Sequence, residues 1–140
     1  MTLVERAKQL AHRAHAGQVD KAGRPYIEHV ARVAAADYPE AEVVAWLHDV
    51  LEDAPRYASD LEWFPLGMKQ AIVCLTRYAH DTPRAYYAGI RANQIALRVK
   101  LADVADNADE SRLALLDEKT ASRLRRKYAR AIVDLTEPNA

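Results

Sequence analysis

The sequence predicts an all-α domain, and three observations support this prediction. Apolar residues recur at intervals of three and four, as at Leu3, Ala7, Leu10 and Ala14, which is the spacing of a helix that buries one face. No stretch shows the alternation of apolar and polar residues that is typical of a half-buried strand. Short stretches with glycine or proline separate the periodic segments, the first of them at Gly17, where a helix can end. We therefore expect a bundle of about six or seven helices.

The first half of the chain predicts three helices. The first ends near Gly17 and is followed by a polar loop over residues 18–26, QVDKAGRPY. A short helix with the sequence IEHVARVAAA comes next. Pro39 suits the first position of the third helix, because its missing N–H group would be unpaired there in any case. The buried face of that helix is expected to contain Val43, Leu47, Val50, Leu51 and Ala54.

The second half predicts a connector followed by further helices. PRYASDLEWFPLG is expected to connect with one helical turn, and an amphipathic helix follows it. Thr82 before Pro83 is a good N-cap pair for a segment that reaches about Ala108 and breaks near residues 92–93. A long terminal helix closes the chain. The apolar residues that mark the amphipathic and terminal helices are Met68, Ala71, Ile72 and Leu75, and then Ala121, Leu124, Tyr128, Ile132 and Leu135.

Length and composition indicate one domain, residues 1–140, of ordinary soluble type. Half of the residues are hydrophobic, 29% are charged and the formal net charge is zero, which argues against a dedicated nucleic-acid or anionic-membrane binder. Cys74 is the only cysteine, so we expect no internal disulfide and a small buried apolar side chain. No stretch has the length of a membrane span, and the N-terminal residues lack the apolar core of a signal peptide. We expect a cytoplasmic protein.

Four polar residues interrupt the apolar run of the third helix: His48, Asp49, Glu52 and Asp53. Residues four apart nearly stack on a helix, so His48 should lie over Glu52 and Asp49 over Asp53. Two like charges at this spacing repel by roughly 0.2–0.5 kcal/mol, and partial burial increases the cost. A bound divalent metal explains the arrangement, because histidine and aspartate are common metal ligands.

Partners for His48 and Asp49 come from two other segments. His29 follows the polar loop at the start of a helix, and Asp103 lies in VKLADVADNAD with Asn107 four residues later. Two histidines and two aspartates leave coordination positions open for water and a phosphate oxygen, as metal-assisted hydrolysis requires.

These residues and the blocks around them resemble a known family. The HD dipeptide on a helix, with a histidine upstream and an aspartate downstream, resembles the HD superfamily of metal-dependent phosphohydrolases. Three ordered blocks, AHAGQVDKAGRPYIEHVARVA, LHDVLEDA and VKLADVADN, resemble more closely the (p)ppGpp hydrolase domain of the RelA/SpoT family. The resemblance runs from about Leu3 to past Asn107 and, with no synthetase domain attached, suggests a small alarmone hydrolase.

The resemblance implies a role for each matching residue. The metal, typically Mn²⁺, would be held by His29, His48, Asp49 and Asp103. Glu52 and Asp53 would orient or deprotonate the attacking water. The expected contacts with the guanine nucleotide are phosphate binding by Lys21 and Arg24, a pocket wall from Tyr26, and a position near the nucleotide for Asn107. Hydrolysis of the 3′-pyrophosphate would give pyrophosphate and GDP, or GTP from pppGpp.

Two departures from the family pattern leave the substrate open. Ala54 stands where members often have threonine, and Val104 stands where longer relatives often have arginine. One alternative is an HD phosphohydrolase that acts on another nucleotide, such as a nucleotide phosphate ester or NADPH. Another is a metal-holding module that senses nucleotides without turnover, although Glu52 and Asp53 argue against it. The sequence is compatible with an oligomer.

The remaining polar features have simpler interpretations. His12 and His15 are three residues apart, a spacing that would allow a second pair of metal ligands. A structural hydrogen bond is the better explanation for His15. His80 and Asp81 form a second HD dipeptide in a polar turn, without an apolar helix behind it. The basic run RLRRKYAR is best explained as a solvated helix face, because no aromatic platform accompanies it. Lys100 belongs to the third block and is compatible with a purely structural role.

Overall fold

The computed structural model describes residues 1–36, 39–78 and 81–137. The prediction of an all-α fold is confirmed, because these residues form helices and their only β feature is an isolated bridge between Val19 and Pro25. The α-helices are Leu3–Ala14 (α1), Tyr26–Ala36 (α2), Pro39–Leu47 (α3), Val50–Asp53 (α4), Leu66–Leu75 (α5), Pro83–Arg91 (α6), Gln94–Asn107 (α7), Glu110–Leu113 (α8) and Glu118–Thr136 (α9). A 3-10 helix spans Pro55–Trp63. Within the described ranges, seven α-helices have nine or more residues.

Helix α3 lies at the centre of the fold. All residues from Val43 to Leu47 are buried, as expected for a helix that is apolar on every side. Helices α1, α2, α5 and α7 pack around it. The first residues after α3 are His48 and Asp49, so the central helix delivers both side chains to the interior, between α2 and α7.

Side-chain caps fix several helix boundaries. Thr2 and Glu5 form a reciprocal capping box at α1. The Thr82 side chain accepts a hydrogen bond from the Ala85 amide at the start of α6, as expected from the Thr82–Pro83 pair. Asn93 caps α7, which confirms the break near residues 92–93. These side chains satisfy backbone N–H groups that have no partner within the helix.

Three local predictions are wrong. The helical run that was expected to continue through His48 and Asp49 is interrupted there, because α3 ends at Leu47 and α4 begins at Val50. The connector forms a 3-10 helix of nine residues instead of one helical turn. Ile132 lies 38% exposed on α9; its neighbour Ala131 is turned to the core instead.

Two further predictions can be compared with the fold. Cys74 is only partly buried, and this burial raises the pKa of its thiol. No helix among the described residues is both long enough and apolar enough to cross a membrane.

Candidate metal centre

Three buried side chains from separate parts of the fold form a group that can hold a metal ion. His29 comes from α2, His48 from the α3–α4 junction and Asp103 from α7. One ligand atom from each lies within 4.8 Å of the others. The sequence separation of these residues is large, so only the packing of α2 and α7 against α3 brings them together.

The orientation of the His48 ring leaves one nitrogen without a hydrogen bond. Its Nδ1 lies 2.7 Å from the Ala45 carbonyl oxygen, which can only accept, so Nδ1 carries a proton. The buried Nε2 atom makes no hydrogen bond of acceptable geometry, although it lies 3.0 Å from Asp49 Oδ2 and 3.5 Å from Asp103 Oδ1. A nitrogen lone pair this close to carboxylate oxygens requires a cation between them, either a proton or a metal ion.

When no metal is bound, protons can meet this requirement. Burial lowers the pKa of His48, but the Asp49 charge and the carboxylate contacts outweigh burial and leave it well above 6.5. His29 Nε2 lies 2.8 Å from Asp103 Oδ1, and its Nδ1 lies 2.6 Å from Asp106 Oδ2. Burial lowers the pKa of His29 too, and its hydrogen bonds to both carboxylates again raise it above 6.5. A divalent metal would replace these protons, so the residues fit a metal.

Asp103 is the hub of the group. Its carboxylate accepts hydrogen bonds from Lys100 Nζ at 3.1 Å and from Asn107 Nδ2 at 3.2 Å, besides the contact with His29. Burial alone would raise the pKa of Asp103, but the Lys100 charge and the two histidines hold it well below 3.8. The carboxylate therefore stays ionised, which is the form that ligates a metal.

Asp49 lies beside the three-residue group. Its Oδ2 atom accepts a hydrogen bond of 2.5 Å from the Tyr26 hydroxyl. Burial and the Asp49 charge raise the pKa of Tyr26, so this hydroxyl remains a donor. With Oδ2 also 3.0 Å from His48 Nε2, Asp49 is close enough to serve as a fourth ligand.

Glu52 and Asp53 lie at the rim, on the short helix α4. The interruption between α3 and α4 separates them from the buried residues: His48 is buried, whereas Glu52 and Asp53 are exposed. Glu52 Oε1 accepts from the Arg77 amide at 2.7 Å, and Asp53 Oδ2 accepts from Gln18 Nε2 at 3.1 Å. Desolvation of the carboxyl groups raises the pKa of both residues, and the nearby Asp49 charge adds to the effect.

The polar loop after α1 borders a cleft of about 440 Å³, whose lining includes neither the metal group nor Glu52 and Asp53. Gly23 takes a φ of +82° in this loop, a conformation that glycine adopts without strain. All four predicted substrate contacts line the cleft, namely Lys21, Arg24, Tyr26 and Asn107. Tyr26 and Asn107 also touch Asp49 and Asp103, so these two side chains connect the cleft with the metal group.

Most cations of the cleft are already paired. Arg24 donates two hydrogen bonds to Glu28, at 3.1 and 2.7 Å. Arg32 and Arg112 both bind Asp106. In the described part of the cleft lining, Lys21 is the one basic side chain for which no ion pair is formed. Val104 is buried and adds no polar group.

Sequence reasoning missed Asp20, Asp106 and Arg112. Asp106 follows Asp103 by three residues on α7, which places both on one helix face, so its spacing was a usable signal. Arg112 Nη2 donates to Asp20 Oδ2 at 3.1 Å, across 92 residues of sequence. No local pattern predicts such a contact.

The other polar features agree with their simpler interpretations. His15 Nδ1 lies 2.8 Å from Gln18 Oε1, the structural hydrogen bond expected for this residue. Arg125 in the basic run pairs with Glu110 and Glu118. The second HD dipeptide cannot be compared, because His80 lies outside the described residues.

Comparison with protein-family models and with curated proteins finds no match to this chain. The chemistry of the site therefore carries the functional argument. The donor set of imidazole nitrogens and carboxylate oxygens suits Mn²⁺, Zn²⁺, Fe²⁺ and similar divalent ions, and the adjoining polar cleft provides room for a ligand.

Proposed function

We propose that this protein is a metal-dependent hydrolase of the 3′-pyrophosphate of (p)ppGpp, producing pyrophosphate and GDP or GTP. The observation that carries the proposal is the buried group of His29, His48 and Asp103, in which His48 Nε2 faces carboxylate oxygens without a hydrogen bond of acceptable geometry. Burying two histidines and a carboxylate is costly unless they are paired or ligate a metal. The sequence resemblance to the RelA/SpoT hydrolase domain supplies the substrate.

The metal would be held by His29, His48, Asp49 and Asp103, and we propose Mn²⁺ as the ion. When bound, it supplies a Lewis acid that polarises a phosphoryl oxygen and lowers the pKa of water. The protein side chains hold these ligands in place. Tyr26 orients Asp49, and Lys100 with Asn107 orients Asp103.

Glu52 and Asp53 would position the attacking water and accept its proton. Their raised pKa values favour this role, because a general base works best when its pKa approaches the operating pH. Glu52 is held by the Arg77 amide and Asp53 by Gln18. The carboxylates therefore keep fixed orientations at the rim of the metal group.

Lys21 and Arg24 would offset negative charge on the phosphates. Lys21 has no ion pair to release among the described contacts, whereas Arg24 must release Glu28. The Arg24–Glu28 pair is exposed, with side-chain exposures of 63% and 38%, and exposed pairs of this kind contribute little to stability. A phosphate group can therefore compete for Arg24.

The decisive experiment incubates metal-stripped protein with ppGpp, with and without Mn²⁺, and measures GDP and pyrophosphate. We expect equimolar release of both products only with the metal. Tight metal binding without release from ppGpp would refute the proposed substrate. Failure to bind any divalent ion would refute the metal centre.

A variant of Glu52 and a matched control test the role of Glu52 in turnover. Glu52→Gln keeps the size and a hydrogen-bond acceptor but removes the charge, so turnover should fall by about 10²-fold or more while metal affinity is kept. Glu62→Gln is the control, because Glu62 is exposed and pairs only with Lys69 among the described contacts. An unchanged rate in Glu52→Gln would remove Glu52 from the mechanism.

One observation favours a second candidate, an HD phosphohydrolase that acts on a nucleotide with fewer phosphates. Arg32 and Arg112 are paired with Asp106, Arg24 must first release Glu28, and Val104 offers no cation. A substrate with two diphosphate groups needs more unpaired positive charge than a simple phosphate ester. Parallel assays with ppGpp, a deoxynucleotide and NADPH at equal concentration would rank the candidates by kcat/KM.

A further inference from the structure

A carboxylate lies behind the metal group, on the far side of the His29 ring. Asp106 Oδ2 is 2.6 Å from His29 Nδ1, opposite the nitrogen that faces Asp103. Two arginines bind the same carboxylate: Arg32 Nε donates to Oδ1 at 2.7 Å and Arg112 Nη1 donates to Oδ2 at 2.9 Å. The Asp106 side chain is only 14% exposed. Three donors therefore surround one largely buried carboxylate.

These contacts place a proton on the His29 nitrogen that faces Asp106. A carboxylate between two arginines stays ionised and can only accept hydrogen bonds. The proton must then lie on His29 Nδ1. The alternative, in which Nδ1 accepts from Arg112 Nη1, has a distance of 3.5 Å, which is long for a hydrogen bond. Nε2, which lies 2.8 Å from Asp103 Oδ1, is then the nitrogen at which a metal would replace the proton.

Arg112 also connects this carboxylate with the loop that borders the cleft. Its Nη2 donates to Asp20 Oδ2 at 3.1 Å. The other oxygen of Asp20 accepts from the amides of Ala22 and Arg24, both at 2.9 Å. One guanidinium group therefore joins the turn of the loop to the carboxylate behind His29.

We propose that Asp106 and Arg112 are positioning residues of the metal centre. Asp106 holds His29 in the Nδ1–H form, so that Nε2 is presented to the metal, and Arg112 keeps Asp106 oriented while it ties the substrate loop to it. The inference rests on the metal centre of the proposed function. Hydrogen bonds from a ligating histidine to such an outer carboxylate fix the ring and raise its basicity as a ligand.

The first test uses the unaltered protein. Long-range ¹H–¹⁵N spectra of the full chain loaded with Zn²⁺, a diamagnetic substitute, report the protonated nitrogen of each histidine, and the His29 signals are assigned by their loss in His29→Gln. We expect a proton on Nδ1 and ligation through Nε2. A proton on Nε2, with the metal on Nδ1, would overturn the inference without any variant of Asp106.

The second test measures Mn²⁺ affinity in variants. Asp106→Leu removes the acceptor and should weaken binding by about 10–100-fold. Asp106→Asn keeps an accepting oxygen and should recover most of this loss. A purely structural role would lower the melting temperature in both variants and leave the affinity of the folded protein unchanged.

Arg112 has its own variant and control. Arg112→Lys keeps the charge but cannot bridge Asp106 and Asp20 with a planar fork, so we expect a weaker affinity for Mn²⁺ than in the wild type. Arg125→Lys alters an arginine in an exposed pair with Glu110 and should leave affinity unchanged. Suppose that the wild type binds Mn²⁺ and hydrolyses ppGpp, and that the Mn²⁺ affinities of Asp106→Leu and Arg112→Lys lie within about twofold of the wild type. This inference would then be refuted, and the proposed function would stand. Absence of metal binding in the wild type would refute the proposed function as well.

Discussion

Replacement of Asp103 by asparagine tests the charge balance of the metal-free centre. The carboxylate is 9% exposed and accepts hydrogen bonds from Lys100 at 3.1 Å and from His29 at 2.8 Å, with His48 Nε2 at 3.5 Å. Asp103→Asn removes the negative charge that offsets these cations. It keeps the shape of the side chain and one accepting oxygen, so the change in stability reports on the charge and on the acceptor that the amide nitrogen replaces.

The expected loss follows from these contacts. Removing one partner of a buried ion pair costs about 3–5 kcal/mol. Part of this is offset here, because the Lys100 side chain is 18% exposed and its Nζ lies 5.4 Å from the centre of the Tyr86 ring, a favourable cation–π contact. We therefore expect a loss of about 2–3 kcal/mol in the free energy of unfolding. For a domain of this size it lowers the melting temperature by about 6–12 °C.

The pH dependence of the stability loss follows from the pKa values of the three residues. Burial raises the pKa of Asp103, but the Lys100 charge outweighs burial and holds it well below 3.8, so the Asp103 contribution is present above pH 3.8 and is lost as the pH falls through the lowered pKa. The pKa values of His29 and His48 are raised above 6.5, so their contribution is present below pH 6.5 and is lost as the pH rises through the raised values. The difference between wild type and Asp103→Asn should be largest between pH 3.8 and 6.5.

Urea unfolding in EDTA, at several pH values between these limits and up to pH 9, provides the assay. Glu110→Gln is the control, because it also changes a carboxylate to an amide, but in an exposed pair with Arg125, where we expect little change in stability. A loss in Asp103→Asn no larger than in this control would refute the reasoning. So would a difference that grows steadily toward pH 9.

Three further predictions follow from single contacts. Mn²⁺ affinity should rise with pH, because the metal must displace protons from His29 and His48; calorimetry in buffers of different ionisation enthalpy measures this proton release, and its absence would contradict the proton assignment. Tyr26→Phe removes the hydroxyl that donates to Asp49 and should cost about 0.5–3 kcal/mol of stability and weaken Mn²⁺ binding, whereas loss of stability alone would exclude an effect of this hydroxyl on the metal centre. Thr82→Ala removes the cap of α6 and should cost about 0.5–2 kcal/mol without changing metal affinity, as thermal unfolding and metal titration would test.

Local patterns predicted the helical class because they report directly on burial and on backbone pairing. The spacing of Leu10 and Ala14 identified the buried face of α1, and the Asn93 cap lay where the pattern broke. The same patterns failed at His48 and Asp49. The helical periodicity of the sequence continues there, but the α-helix itself is interrupted. A side chain that is buried against α2 and α7 can be accommodated by a break in a helix, and no property of residues 43–54 alone signals that outcome.

The residue types of the candidate metal centre were determined by the sequence, and their meeting point by the tertiary structure. His48 and Asp49 could be chosen because they interrupt an apolar helical run, where burial without a partner is costly, and His29 and Asp103 were inferred as their partners from two other segments. The contacts behind these ligands could not be predicted from the sequence. Asp20, Asp106 and Arg112 are ordinary charged residues in sequence, and their roles arise only when the loop after α1, α7 and α8 approach one another. The local sequence determines the chemistry of each side chain, whereas the distances between functional side chains depend on the packing of segments far apart in the chain.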